Sequence, residues 1–353
     1  MTAAKNFLAD IREQPAAIRR AWAGVTPQDL AQIANLRAAL ADGRIRHVIL
    51  TGMGGSYFSA YGSWQRLAAR LSVPVSLWDS SELIQQAPEL IRGDTLVIAI
   101  SQSGESVELQ RLTQIAARPY FALTITNAAT NTLASWADCA IATEAGKEDA
   151  VSTKTYIAGL IALLAVEQAL LGTQDLTKVS IETLAATAAL QLDGFDNRAH
   201  AALDFLGAQS PLNYIGRGAS FSSAAMAALM TVEATKLDST ALTGGQFRHG
   251  PLELVREDFR AVLFLGSGVE RELNEITALD IARLKGRCLV IATNPPTSLR
   301  REGIEILELP AVPPALLPVL EIIPLQFLMV PLAVARGFTP AVFLNGSKVT
   351  LVE

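Results

Sequence analysis

Cysteine, histidine and charge are all scarce in this chain of 353 residues. Two cysteines, Cys139 and Cys288, cannot build a disulfide framework and fit a reducing compartment, so a cytoplasmic setting is expected. With three histidines, His47, His200 and His249, and no Cys/His/carboxylate group at ligand spacing, no metal is expected. Charged residues make up 18% of the chain, below the roughly 25% usual in soluble proteins. Lysine and arginine number 29 against 34 aspartates and glutamates, a net charge of −5, so a basic footprint for nucleic acid is missing. No strand-linked G-x-G-x-x-G turn with an acidic partner appears, which argues against a dinucleotide cofactor and redox chemistry. The N-terminal MTAAKNFLADIREQ mixes charged with apolar residues and has no signal-peptide core.

What the chain does have is apolar residues, 50% of the total, enough for a large core and, at this length, for two domains. The most apolar stretch, Ala311 to Ala335, is broken only by Glu321 and Gln326 and contains five prolines. A central glutamate and that much proline make a poor membrane span, so a buried or subunit-interface helix is expected there, with no membrane partner. The mean hydropathy of +0.31 suggests apolar surface covered by a second subunit.

The two halves repeat. Gly52-Met-Gly-Gly-Ser-Tyr-Phe-Ser-Ala60 and Gly216-Arg-Gly-Ala-Ser-Phe-Ser-Ser-Ala224 share five of nine positions. Val97–Ile100 answers Val262–Leu265, and Leu123–Asn127 answers Val290–Asn294, at offsets near 165 residues. The expected division is 1–185 and 186–353, with Thr173 to Arg198 linking the copies, a helix from Ala4 to Ala23 before them and a tail from Phe338 to Glu353. In the first copy, strand-like runs at His47–Thr51, Val75–Trp78, Thr95–Ile100, Tyr120–Thr126 and Cys139–Ala142 alternate with helical stretches at Ser59–Leu71, Ser81–Leu90, Ser106–Ala117 and Thr155–Leu171. This alternation predicts two tandem doubly wound α/β domains with parallel sheets, whose ligands bind beyond the carboxyl ends of the strands.

Ser101-Gln-Ser-Gly-Glu-Ser106 ends a strand and opens a helix. A helix start offers free N–H groups and partial positive charge; Ser101, Ser103 and Ser106 add hydroxyls, and Gln102 an amide. The turn has no lysine, so it is not a nucleotide P-loop. Neutral donors in this number suit a sugar phosphate, although a Ser-rich helix cap without ligand reads the same way. Ser56 in the first Gly-rich turn and Ser152 in Lys147-Glu-Asp-Ala-Val-Ser-Thr-Lys154 are further candidates with the same ambiguity.

His249 lies in Gly244-Gly-Gln-Phe-Arg-His-Gly-Pro251, where an exposed loop histidine and a catalytic one look alike; His47 and His200 are expected to be structural. Met226, Met230 and Glu233 recur at helical spacing, which puts a carboxylate on an apolar stripe. Burial there would raise its pKa and suit it to general-base work; a Glu paired with a cation at a domain boundary has the same pattern. Lys348, in the tail Leu344-Asn-Gly-Ser-Lys348, is by itself an ordinary solvated lysine.

Together, the repeat, Ser-Gln-Ser-Gly-Glu-Ser, Val-Ser-Thr-Lys and Arg248-His-Gly-Pro251 resemble the double sugar-isomerase (SIS) domain family, over nearly the whole chain from Ile11-Arg-Glu-Gln-Pro to the tail. That family includes the isomerase half of glucosamine-6-phosphate synthase, fructosamine-6-phosphate deglycases and SIS-type glucosamine-6-phosphate deaminases. The resemblance implies a phosphosugar held by Ser56, Ser101, Gln102, Ser103, Ser106 and Ser152. It implies ring opening by His249, given by the neighbouring subunit of a homodimer with a shared active site, and proton transfer between C1 and C2 by Glu233. It also implies a Schiff-base role for Lys348. With no Cys-initiated glutaminase domain in the sequence, the full synthase is not the expected activity. Met226 and Met230 stand where the synthase carries a Glu and a Lys, Gln246 where it has a Glu, and the Pro-Arg of the family tail is missing. A substrate that already carries nitrogen at C1 has no need of that lysine, so deglycation of a fructosamine 6-phosphate is the expected reaction. Glucosamine-6-phosphate deamination, aldose–ketose isomerisation and, in another class, non-catalytic sugar-phosphate sensing are the alternatives.

Overall fold

The computed structural model describes residues 2–350 apart from Ala116. It contains two five-stranded sheets. The first comprises β1 (His47–Gly52), β2 (Val75–Asp79), β3 (Thr95–Ile100), β4 (Phe121–Thr126) and β5 (Cys139–Ala142), in the order β2-β1-β3-β4-β5. The second comprises β6 (Leu212–Gly216), β7 (Ser239–Thr243), β8 (Arg260–Phe264), β9 (Arg287–Thr293) and β10 (Ile304–Leu309), in the order β10-β9-β8-β6-β7. Read from the other edge, the second order repeats the first strand for strand. Every pairing is parallel. The expected pair of doubly wound parallel-sheet domains is therefore what the chain forms.

β1, β3, β4, β8 and β9 are apolar almost without alternation because both their faces are covered, whereas the edge strand β10 alternates, with Glu305 and Glu308 exposed. In the first sheet Val48, Leu50, Leu96, Ile98 and Ile100 pack on one face with Ile33, Leu36, Leu67 and Leu163. Ile49, Val97 and Ala99 pack on the other with Leu83, Leu109 and Leu112. Each such side chain contributes about 1.5–3 kcal/mol by leaving water. Strand order reverses between β1 and β3, so the turns leaving their carboxyl ends flank the crevice where such sheets take ligands.

Several expected boundaries move. The single N-terminal helix is two, Thr2–Arg12 and Gln14–Gly24. Pro15 has no N–H to continue the first, and the N–H groups of Ala16 and Ala17 both turn to the Glu13 carbonyl. The Gly-Gly-Ser turn after β1 is already the first turn of the helix Gly54–Arg70, with Ser56 N–H bonded to Met53 O at 3.0 Å. The helix expected over Ser81–Leu90 ends at Gln86, before Pro88 opens a 3-10 turn. That expected over Ser106–Ala117 runs only from Val107 to Thr113; Ala116 lies outside the described residues. The linker Thr173–Arg198 is not irregular: it holds the helix Lys178–Leu192 and the start of Phe195–Leu206. The helix Pro27–Ala41, begun by a capping box between Thr26 and Asp29, was not anticipated.

Among the described residues two segments, Lys154–Leu171 and Pro314–Ala335, are long and apolar enough to cross a membrane, and 83% of the most apolar 18 residues of each is buried within the fold. The second divides into a 3-10 turn at Pro314–Leu316 and helices Leu317–Glu321 and Ile323–Ala335. The chain forms two compact units. One contains Glu13–Glu148, Ser152–Ala185 and Asn345–Glu353; the other contains Met1–Arg12, Asp149–Val151 and Ala186–Leu344. The expected tail is thus divided: residues 345–350 belong to the first sheet's unit, residues 338–344 and the first helix to the second's.

Candidate active site

In the first unit a small cleft, open to solvent, lies at the carboxyl ends of β1, β3 and β4. It brings together Ser56, Ser101, Gln102 and Ser152, with Thr155 and Asn127. Ser103 and Ser106 sit further along the same turn and outside this lining. No lining residue carries a charge, so an anion there would be met by N–H groups, hydroxyls and amides alone.

The turn is fixed by its own hydrogen bonds. Ser101 N–H donates to Ile125 O and Asn127 N–H to Gln102 O, both at 3.0 Å, which ties the turn to β4. Ser101 Oγ accepts from Gly104 N–H at 3.0 Å and Ser103 Oγ from Glu105 N–H at 3.1 Å. Gly104 is required twice over: its φ is +68°, and a Cβ would lie 2.0 Å from Asn131 Oδ1. The Glu105 carboxylate turns away from the cleft. It accepts from Thr132 N–H at 2.7 Å, from the Thr132 hydroxyl at 2.8 Å and from Gln110, which hold it below the usual carboxylate range. Ser106 caps the next helix without bonding it, and its hydroxyl oxygen is buried without a partner.

Ser152 Oγ lies 2.8 Å from Thr155 Oγ1. Thr155 in turn donates to Glu148, a fully buried carboxylate that sequence reasoning did not single out. Glu148 also accepts from the N–H and hydroxyl of Thr153, both at 2.9 Å, and from Lys348 Nζ at 2.7 Å. Burial pushes the Glu148 carboxyl up, but the Lys348 ammonium and the hydrogen bonds outweigh it and hold the group low.

In the second unit Glu233 ends the helix Ser220–Thr235. Met226 and Met230 are wholly buried, whereas Glu233, in the last turn, is only half-buried. That helix end is held by two cations: Lys236 donates to the carbonyls of Glu233 and Val342, and Arg336 to those of Thr235, Lys236 and Ala208. His249 is exposed, just past the short helix Gly244–Arg248, and Gly250 behind it takes φ +136°. Arg248 beside it pairs with Asp280 at 2.5 Å. His47 bonds Ser76 Oγ at 2.8 Å, and burial pushes its pKa down; His200 lies exposed on the helix Phe195–Leu206.

The turn after β8 differs from that after β3. Glu270 accepts from Ser267 N–H at 3.3 Å and Gly268 N–H at 3.0 Å. Arg271 donates to the carbonyls of Gly266, Thr293 and Asn294. At the start of the helix Ser220–Thr235, the hydroxyls of Ser220 and Ser223 donate to the buried Glu321 at 2.8 and 2.7 Å. Burial, helped by the nearby charge of Glu270, raises the Glu321 pKa to about 7.

The SIS domain profile matches residues 44–168 and 209–336. A glutamine–fructose-6-phosphate aminotransferase (isomerizing) of Pyrobaculum aerophilum is 30% identical over 98% of this chain and 57% of its own length. The human isomerizing aminotransferase 2 is 27% identical over 88% of this chain and 46% of its own. The chain thus spans about half the length of these curated relatives. Among solved structures, the C-terminal domain of the Francisella tularensis glucosamine-fructose-6-phosphate aminotransferase superposes with a TM-score of 0.82 at 21% identity, covering 95% of this chain and 97% of that one. A glucosamine-6-phosphate deaminase from Thermotoga maritima gives 0.74 at 18% identity, covering 98% and 100%. Both likenesses concern the fold.

Proposed function

The chain belongs to the SIS domain family, and from that premise we propose that it is an enzyme acting at C1–C2 of an amino- or ketose-6-phosphate, in particular a fructosamine-6-phosphate deglycase. The observation that carries this reading is the cleft of neutral donors at the carboxyl ends of β1, β3 and β4. Neutral donors suit a phosphate monoester without a metal ion. Met226 and Met230 put no amine on the helix of Glu233, which suits a substrate that brings its own nitrogen.

In this reading the first copy binds the phosphate and His249 opens the ring. Glu233 takes a proton from C1 and returns it to C2, which turns the ketose amine into the imine of an aldose. Water adds to C1, and the C–N bond breaks to release the amine and an aldose 6-phosphate. The test is a screen of phosphorylated Amadori amines, glucosamine 6-phosphate and fructose 6-phosphate, following release of amine or ammonia. Amine release is expected. Ammonia from glucosamine 6-phosphate alone would make the protein a deaminase, and binding without turnover a sensor.

Glu233→Gln keeps shape and removes basicity, so turnover should fall about 10²–10⁴-fold while phosphosugar binding survives. The reading also includes a homodimer that shares its active sites. Mixing inactive Glu233→Gln with inactive His249→Ala should restore part of the activity, and continued inactivity after verified subunit exchange would argue against sharing.

A further inference from the structure

Glu148 has no access to water, and a carboxylate in that position needs both hydrogen bonds and a counter-charge. Thr153 and Thr155 supply the hydrogen bonds from the start of the helix Lys154–Leu171 that follows it. The counter-charge comes from Lys348, 200 residues further along the chain and in the same compact unit. Lys154, although much closer in sequence, points its ammonium to Glu13 at 2.6 Å. Residues 344–347 are exposed and bury little that could hold the tail. One further contact secures it: Thr350 O accepts from Val107 N–H at 3.1 Å, at the head of the helix that follows the Ser101–Ser106 turn. The same Glu148 reaches the cleft wall, since Thr155 donates to it and bonds Ser152, and both Thr155 and Ser152 line the cleft.

We propose that Glu148 is a positioning residue that latches the C-terminal tail onto the first unit through the Lys348 ammonium. Removing that cation strands Glu148 as a buried charge, which is strongly unfavourable. The link through Thr155 makes the latch part of the cleft wall. The latch is measured without substrate and stands apart from the phosphosugar reading.

The experiment is hydrogen–deuterium exchange of the tail peptide over 345–350 in the full chain, with no ligand present. Lys348→Met and Glu148→Gln should each speed exchange by at least about tenfold, and the double variant should be no faster than either single one, because both remove one contact. Lys348→Arg keeps the cation and should stay within about threefold of the native rate. That rescue separates a charge latch from mere side-chain packing. Native exchange in Lys348→Met or failure of Lys348→Arg to protect the tail would each overturn the proposal. If Glu148→Gln does not fold, the two tail variants still decide it.

Discussion

Glu105 and Glu270 occupy matching places in the two copies, at the repeat offset of about 165 residues, and their side chains point opposite ways. Glu105 leaves its turn to bond Thr132 and Gln110; Glu270 folds back onto the N–H groups of its own turn. Around them the substitutions agree. Ser101 and Ser103 correspond to Gly266 and Gly268, and Ser106 corresponds to Arg271, which is spent on backbone carbonyls. Ser56 corresponds to Ser220, whose hydroxyl is taken by Glu321. Both copies direct N–H groups and hydroxyls to the carboxyl end of a parallel sheet, and both therefore call for negative charge there. The second copy meets that demand with two carboxylates of its own. The first keeps its carboxylate away and leaves the Ser106 hydroxyl unpartnered. In the proposed reading, side-chain direction decides which of the two turns is left for a phosphate.

The sharpest way to break this contrast is to give the first turn what the second has. Ser103→Asp places a carboxylate in the Ser101–Ser106 turn. Like charges forced together cost several kcal/mol, so affinity for fructose 6-phosphate should fall at least about 100-fold in calorimetry. Unchanged affinity would remove the turn from the phosphate site and with it the basis of the comparison.

A smaller effect comes from the carboxylate that fills the second crevice. Glu321 has its pKa raised from 4.5 to about 7, first by burial and then by Glu270, against the hydrogen bonds of Ser223 and Ser220. For an acid whose folded value lies above its unfolded one, the fold favours the protonated form. The associated stability is full below about pH 4.5 and is lost as pH rises to about 7, a change of about 3 kcal/mol. Glu321→Gln should flatten this dependence and leave the protein more stable than the native chain at pH 8. Denaturant midpoints at pH 5 and pH 8 measure it; equal pH dependence in both proteins would mean that Glu321 does not titrate in that window.

The sequence made some of this legible and not the rest, for physical reasons. Apolar runs such as Leu96–Ile100 are buried on both faces, so pattern and fold coincide there. The Ser-rich turn was readable because hydroxyls and a glycine at a strand–helix junction are a local signal. The break at Glu13 and the helices in the linker were missed, although Pro15 marked the first. The Glu148–Lys348 pair left no local pattern, because its partners stand 200 residues apart and each looks like a solvated charge. Glu321 read as an interruption in an apolar stretch; only the fold shows the two serines that hold it. The opposite directions of Glu105 and Glu270 depend on Thr132 in one case and on free backbone N–H groups in the other, which identical letters in a repeat do not distinguish.

The smallest expected effect tests whether Glu270 is a plug or an ornament. Its carboxylate accepts two backbone N–H bonds in a partly exposed turn. Glu270→Gln keeps an acceptor oxygen and loses only the charge, so the hydrogen bonds survive in weaker form and stability should drop by about 0.5–1 kcal/mol. The change has a second consequence, because the charge of Glu270 is one cause of the raised Glu321 pKa. Without it Glu321 ionises more easily, which returns some stability where Glu321 is charged. The loss should therefore be larger at pH 5 than at pH 8, and this difference should vanish when Glu270→Gln is made on top of Glu321→Gln. Denaturant midpoints of the two single variants and the double variant at both pH values complete the cycle. An equal loss at both pH values in the single variant would mean that the two carboxylates do not act together, and the second crevice would then be filled by two independent groups.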